Sequence, residues 1–255
     1  MPNGSIKELL ASSSLAFTGT VETVRATTVP DVPVNDRTVV VQVGEVLRSP
    51  PEVAVPSGSR VTVQLSPDLP PLNPGDQRTF FTNGWVYGEN VAVIEVGRSS
   101  VEEAAAPTAR MAGLEASVSP VAAAMAELAQ DEVVEHARGA DAIVRARVVG
   151  LSAVPETVQY REHDPSWWIA TLETDLVERG ELPGVTGGVG TVAVLYANSI
   201  DIHWRESPKP KAGQGGLWLL HRTTGELARW APFQLLHPID LQPSIQLDLL
   251  REHGI

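Results

Sequence analysis

The 255-residue chain carries 19 Lys or Arg against 31 Asp or Glu, a formal net charge of −12, and has no cysteine. Such a field repels a phosphate backbone and an anionic bilayer, which argues against nucleic-acid and membrane partners. The missing thiols exclude disulfides, a thiolate nucleophile and cysteine-ligated zinc or iron–sulfur sites.

The opening "MPNGSIKELLASSSLAF" has neither a basic n-region nor a sustained apolar core, so it does not read as a signal peptide. No apolar run approaches the ~20 residues of a membrane span. The expectation is a soluble, cytoplasmic protein. Sixteen Arg against three Lys, with abundant Ala, fits a GC-rich bacterial genome.

In chain order, Ser5 with Glu8 forms a capping-box pattern that predicts a leading helix. Alternation at Leu15, Phe17, Gly19 and Val21 predicts a strand, and a loop through Pro30 leads to "TVVVQVGEVLRSP" and "SRVTVQL", both strands. "LNPGD" is a turn before an aromatic strand, and a turn at Tyr87-Gly88 precedes a closing strand. This predicts a first domain over residues 1–98, followed by an Ala-rich, partly helical linker over 99–118.

Ser119-Pro120 places an N-cap before proline and starts a second helix, whose Val121, Met125 and Leu128 share a face expected to be buried. The first pattern is then repeated. Leu15, Phe17, Gly19 and Val21 align with Ala142, Val144, Ala146 and Val148; Val41, Val43 and Val46 align with Leu172, Thr174 and Val177. "GTVAVLY" matches the third strand, and "PKAGQGGLWLLHRTTGELARWAPFQLL" matches the turn, aromatic strand and closing strand. A second domain is expected over 119–243, with a short helical tail over 244–255. About five strands behind a helix in ~100 to ~120 residues is the size of an OB-type Greek-key barrel. The predicted fold is mainly β: two tandem OB-like barrels, each preceded by a short α-helix.

Chemistry concentrates in the second copy. His163, Asp201, His203 and His221 are the best metal-ligand constellation, since two histidines and a carboxylate can hold a divalent ion. The bland reading is solvated loop residues. "ANSID" lacks the flanking glycines of a nucleophile elbow, and "KAGQGGLW" lacks the GK[ST] ending and following helix of a P-loop. No catalytic residue is assigned and no cofactor is expected.

Five of the six tryptophans, Trp167, Trp168, Trp204, Trp218 and Trp230, lie in this copy. Trp218 and Trp230 fall in strand patterns and are expected in the core. Adjacent Trp167 and Trp168 must face opposite sides of a strand. Trp204, between His203 and Arg205 in a loop, is of the type that anchors interfaces.

"FTGTVETV", "VVVQVGEVLRSP", "RVTVQL" and "LNPGDQRTFF" together resemble the netrin-like or tissue-inhibitor-of-metalloproteinase-like OB barrels, in a cysteine-free form. "HDPSWWIATLETDLVERG" and "VAVLYANSIDIHWRESPKPKAGQGGLWLLH" resemble stretches of uncharacterised bacterial proteins of the same shape. Those inhibitors chelate a protease zinc through an N-terminal cysteine, which this chain lacks. The resemblance therefore implies a non-catalytic barrel used as an interaction platform.

The sequence reading is a non-enzymatic adaptor or subunit of a larger assembly, or an oligomer. It binds other proteins through Asp201, His203, Trp204, Arg205 and Trp167. The alternative is a metal-assisted hydrolase or small-ligand barrel built on His163, Asp201, His203 and His221.

Overall fold

The structure, a computed structural model, describes residues 4–50, 53–86, 88, 90–105, 119–155, 165–201 and 203–255. It divides into two compact units, Met1–Ala129 and Gln130–Ile255. Among the described residues no helix is long and apolar enough to cross a membrane.

In the first unit α1 (Ile6–Ala11) starts with the expected capping box: Ser5 Oγ accepts from the Glu8 amide at 3.2 Å and Glu8 Oε2 accepts from the Ser5 amide at 2.7 Å. Strands β1 (Leu15–Val24), β2 (Thr38–Arg48), β3 (Arg60–Gln64), β4 (Gln77–Val86) and β5 (Val91–Ser99) close a barrel in the order β1-β2-β3-β5-β4, with β3 and β5 parallel. Period-two alternation sends Leu15, Phe17, Val21, Val41 and Phe80 inward. Leu9, Leu10, Ala16 and Phe81 form a second layer outside the barrel. After β5 comes a short α2 (Val101–Ala105), and most of the expected linker lies outside the described residues.

Helix α3 (Pro120–Gly139) begins at Ser119, whose Oγ accepts from the Ala122 amide at 3.2 Å. In the first unit Val121, Ala124 and Leu128 join the outer layer. Met125 does not, and is 38% exposed, a correction to the sequence reading. Its neighbour Ala124 takes the buried place on that turn of helix.

The second unit contains β6 (Ala142–Ala153), β7 (Trp167–Arg179), β8 (Val185–Thr186), β9 (Val189–Ala197), β10 (Gly215–Arg222), β11 (Phe233–Leu235), β12 (Leu241–Gln242) and α4 (Gln246–Glu252). β6, β7, β9, β11 and β10 form the ring: β10 pairs with β6 and β11, and β11 runs parallel to β9. The two barrels therefore share one strand order, that of the OB type. β8 and β12 add to β9 and β10 outside the ring.

The correspondence extends to the register. In the first barrel Phe17, Gly19 and Val21 face Val46, Val43 and Val41. In the second, Val144, Ala146 and Val148 face Val177, Thr174 and Leu172. Both pairs of strands carry an extra residue at the same step. A bulge bends a strand at a defined point, so its repetition means the two barrels turn the same corner.

The junction between helix and barrel is repeated as well. Arg48 on β2 donates to the Leu10 carbonyl at 2.6 Å, and Arg179 at the matching place on β7 donates to the carbonyls of Ala137 and Ala140. Each barrel thus adds a charged donor to carbonyls at the C-terminal end of its leading helix, where the helix dipole favours a cation.

The next residue, Gly180, has φ +87°, and a Cβ there would sit 2.4 Å from the Asp141 carbonyl oxygen and 2.8 Å from Ala142 Cα. Left-handed strain and a backbone clash act together. Gly180→Ala is expected to cost about 2–4 kcal/mol, read as a lower urea midpoint of the tryptophan-detected transition.

The copies diverge at the closing strand. Where β4 and β5 form a long hairpin, β10 leads through a 3-10 turn at Gly225–Arg229 into a β11 of three residues. Trp230 caps that turn and is half-buried, so it is not on a strand, a second correction. Trp218 is fully buried inside the barrel, and α4 docks Leu247 and Leu250 beside Leu217 and Leu219 on its outer face.

Candidate functional site

Two places in the second unit bear on function. The first is the 198–207 loop between β9 and β10. Asp201 and His203 pair there: Asp201 Oδ1 accepts from the His203 amide at 2.9 Å and lies 3.0 Å from His203 Nδ1. Lys209 Nζ donates to the carbonyls of Trp204, Arg205 and Ser207 at 2.9, 2.9 and 3.1 Å. The Trp204 ring meets Trp167 edge to face, with centroids 5.6 Å apart. Trp167 and Trp168 point to opposite faces: Trp168 packs on the barrel core and Trp167 joins an outer cluster with Trp230. Arg205 is exposed beside Glu206, with Nε 3.0 Å from Oε1. Ile200 is 93% exposed, the highest of the exposed large hydrophobics among the described residues.

The second place is one the sequence reading did not assemble. His221 does not join Asp201 and His203, and His163 lies outside the described residues. Alternation on β10 explains why. Trp218 and Leu220 point into the barrel, so Leu217, Leu219 and His221 point outward, toward α3 and α4.

On α3, Val133 and Ala137 are buried on the same outer layer, and His136 lies on the edge of that stripe, three residues from Val133. The third member is Asp240, fully buried at the end of a 3-10 turn (Pro238–Asp240). His-Pro-Ile-Asp is a capping box with proline at the first position. Asp240 Oδ2 accepts the amides of Leu236 and His237 at 2.6 and 2.8 Å.

With Oδ2 held by two amides, Oδ1 faces the imidazoles. It lies 2.6 Å from His136 Nε2 and 2.9 Å from His221 Nε2, and the two nitrogens are 3.3 Å apart. The His237 ring flanks His136 at 4.9 Å between centroids. Among the described residues this is the only group of three or more histidines, aspartates or glutamates whose ligand atoms converge. The imidazoles keep one side toward solvent, at 26% and 21% exposure.

The hydrogen bond to Asp240 raises the His221 pKa against the opposing effect of burial. Burial pushes Asp240 up, but the bonds from His221, the two amides and His136 together outweigh it and hold it below the usual carboxylate range. A raised histidine stabilises the fold below its ordinary value and loses that contribution as pH rises through the raised one; a depressed carboxylate loses its contribution as pH falls through the depressed value. The contribution of this pair to stability is therefore expected to be fullest between about pH 4 and pH 6.5. Urea midpoints followed by tryptophan emission should fall from pH 6 to pH 8, and His221→Asn should flatten that slope.

A shallow cleft along β6, β7 and β10 is lined by Arg145, Arg147, Glu173 and Asp175, but these pair across the strands, Arg145 with Asp175 and Arg147 with Glu173. It is an exposed ion-pair face, and such pairs contribute little. No protein-family model matches the chain, and no curated protein matches it in sequence.

Proposed function

We propose that the protein is a non-enzymatic tandem barrel that binds another protein, as an adaptor or as a subunit of an assembly, through the 198–207 loop of its second barrel. The observation that carries this reading is a loop braced from within that still displays an almost fully exposed isoleucine. Three carbonyls are tied to Lys209, and Asp201 tethers His203. Little further ordering is needed on association, and preorganisation of this kind converts contact into affinity.

The neighbouring Trp167–Trp204 pair and Arg205 supply the residue types that dominate interface energetics. Ile200 lies on the same loop as Trp204 and Arg205 and is 93% exposed, and loops on a rigid scaffold are where proteins place recognition. Asp201 and His203 act in this reading as braces of the loop.

Ile200→Asp changes a side chain 93% exposed and should leave the fold intact. Under this proposal it weakens capture of a stoichiometric partner from native lysate at least about 30-fold, the effect of removing about 2 kcal/mol at a hot spot. Trp204→Ala should do the same, and Val189→Asp, an exposed position on β9, should not. Equal recovery by all three variants sinks the assignment.

A further inference from the structure

We infer that His136, His221 and Asp240 form a binding site for a divalent first-row transition ion of the zinc class, held by two imidazole nitrogens and one carboxylate oxygen. Three donor atoms spaced 2.6, 2.9 and 3.3 Å apart lie on a circle of about 1.7 Å radius. An ion bonded at about 2.0–2.1 Å to each stands about 1 Å out of their plane. At such bond lengths neighbouring ligand atoms are about 2.9 Å apart in an octahedral site and about 3.4 Å in a tetrahedral one. Two of the three spacings already fall within that range, and the shortest needs only about 0.3 Å of opening.

The ligands are also oriented as such a site requires. Both histidines present Nε2, and Asp240 is fixed by two amides on its other oxygen, so only Oδ1 is offered. Supporting hydrogen bonds that aim the ligating carboxylate are a regular part of metal sites. The three residues come from α3, β10 and the Pro238–Asp240 turn, so an ion would cross-link three elements. Two imidazoles and a carboxylate suit zinc and its neighbours better than magnesium or calcium, and the partly exposed imidazoles give the site access to solvent.

The duplication supplies an independent argument. Leu15 pairs with Thr82 as Ala142 pairs with Leu220, so Asn83 matches His221. The Ser14 amide bonds the Thr82 carbonyl as the Asp141 amide bonds that of Leu220, so counting back along the helices Leu9 matches His136. In the first unit Leu9 is simply buried, while Asn83 holds the Ser14 amide and the Ser12 carbonyl at 2.9 and 3.0 Å. The same junction thus closes with an apolar side chain and a neutral amide. Replacing them with two histidines around a buried carboxylate is not a route to greater stability, because desolvation offsets the pairing. It does create a ligand set.

The test uses the full chain, stripped with a chelator and then dialysed. Zinc titrated by calorimetry at pH 7.5 should bind at one equivalent per chain with Kd below about 10 μM, and proton release should weaken it at pH 5.5. The double variant His136→Leu, His221→Asn carries the first unit's own residues at these two places and leaves Asp240 its two amides; with its folding verified by the tryptophan-detected urea transition, it should bind at least about 100-fold more weakly. In wild-type protein the imidazole nitrogen signals of His136 and His221 should move on zinc addition, while those of His203 and His253 stay. No stoichiometric binding, binding unaffected in the double variant, or movement confined to other histidines each overturns the site.

Discussion

Trp218→Ala will destabilise the second unit by about 3–5 kcal/mol, the largest single effect expected in its core. Trp218 is fully buried, pairs across the sheet with Val144, and donates from Nε1 to the Ala146 carbonyl at 3.0 Å. Truncation leaves a void at the middle of a five-stranded ring that cannot collapse, because the ring is closed by backbone pairing. The first barrel provides the control. Phe80 pairs with Phe17 as Trp218 does with Val144, so a phenylalanine fits this place in the architecture. Trp218→Phe should therefore cost only about 1–2 kcal/mol, from lost contact and the missing indole hydrogen bond. Urea unfolding followed by tryptophan emission separates the two, since five of the six tryptophans belong to the second unit. Equal costs for both variants would contradict the equivalence of the barrels.

Asp240→Ala is expected to destabilise the same unit by about 3–5 kcal/mol, through the loss of a buried hub rather than of volume. Four groups address this carboxylate: the amides of Leu236 and His237 and the imidazoles of His136 and His221. Removing it strands two amides and leaves two imidazole nitrogens 3.3 Å apart with nothing between them. Asp240→Asn should cost less, since its amide oxygen can still accept from the two backbone groups. The distinguishing measurement is pH dependence: in either variant the decline of stability from pH 6 to pH 8 should largely vanish, because Asp240 is the main charged partner of His221, with Asp141 a smaller one.

The barrels were legible in the sequence because their signals are local. The positions aligned between the copies, Leu15, Phe17, Gly19 and Val21 with Ala142, Val144, Ala146 and Val148, and Val41, Val43 and Val46 with Leu172, Thr174 and Val177, occupy equivalent places in the two barrels. The capping residues Ser5, Glu8 and Ser119 announce their helices without help from the rest of the chain. Met125 and Trp230 went astray for a related reason. Helical spacing admits Ala124 as readily as Met125, and an apolar stretch before a strand does not reveal a 3-10 turn.

The cluster at Asp240 was not legible as a whole. His136 and Asp240 are 104 positions apart and meet only because α3 lies along the outer face of β10. Two fragments of it could be read: the outward parity of His221 relative to Trp218, and the His-Pro-Ile-Asp capping pattern. Their convergence required the fold. The pairing of Asp201 with His203 is by contrast a contact over two residues, within reach of sequence alone.

The short β11 has a kinetic consequence for the second barrel. Its seam consists of three pairings to β9 and two to β10, where the matching β5 runs for nine residues. A barrel sealed by so short a strip can unzip there without unfolding elsewhere, and release of Phe233–Leu235 bares the edges of β9 and β10 as templates for a strand from another chain. The turn ending at Asp240 begins three residues later and grips the Leu236 amide, so it serves as the latch on that strip. Whatever loosens the latch sets how often the barrel stands open to strand exchange between molecules.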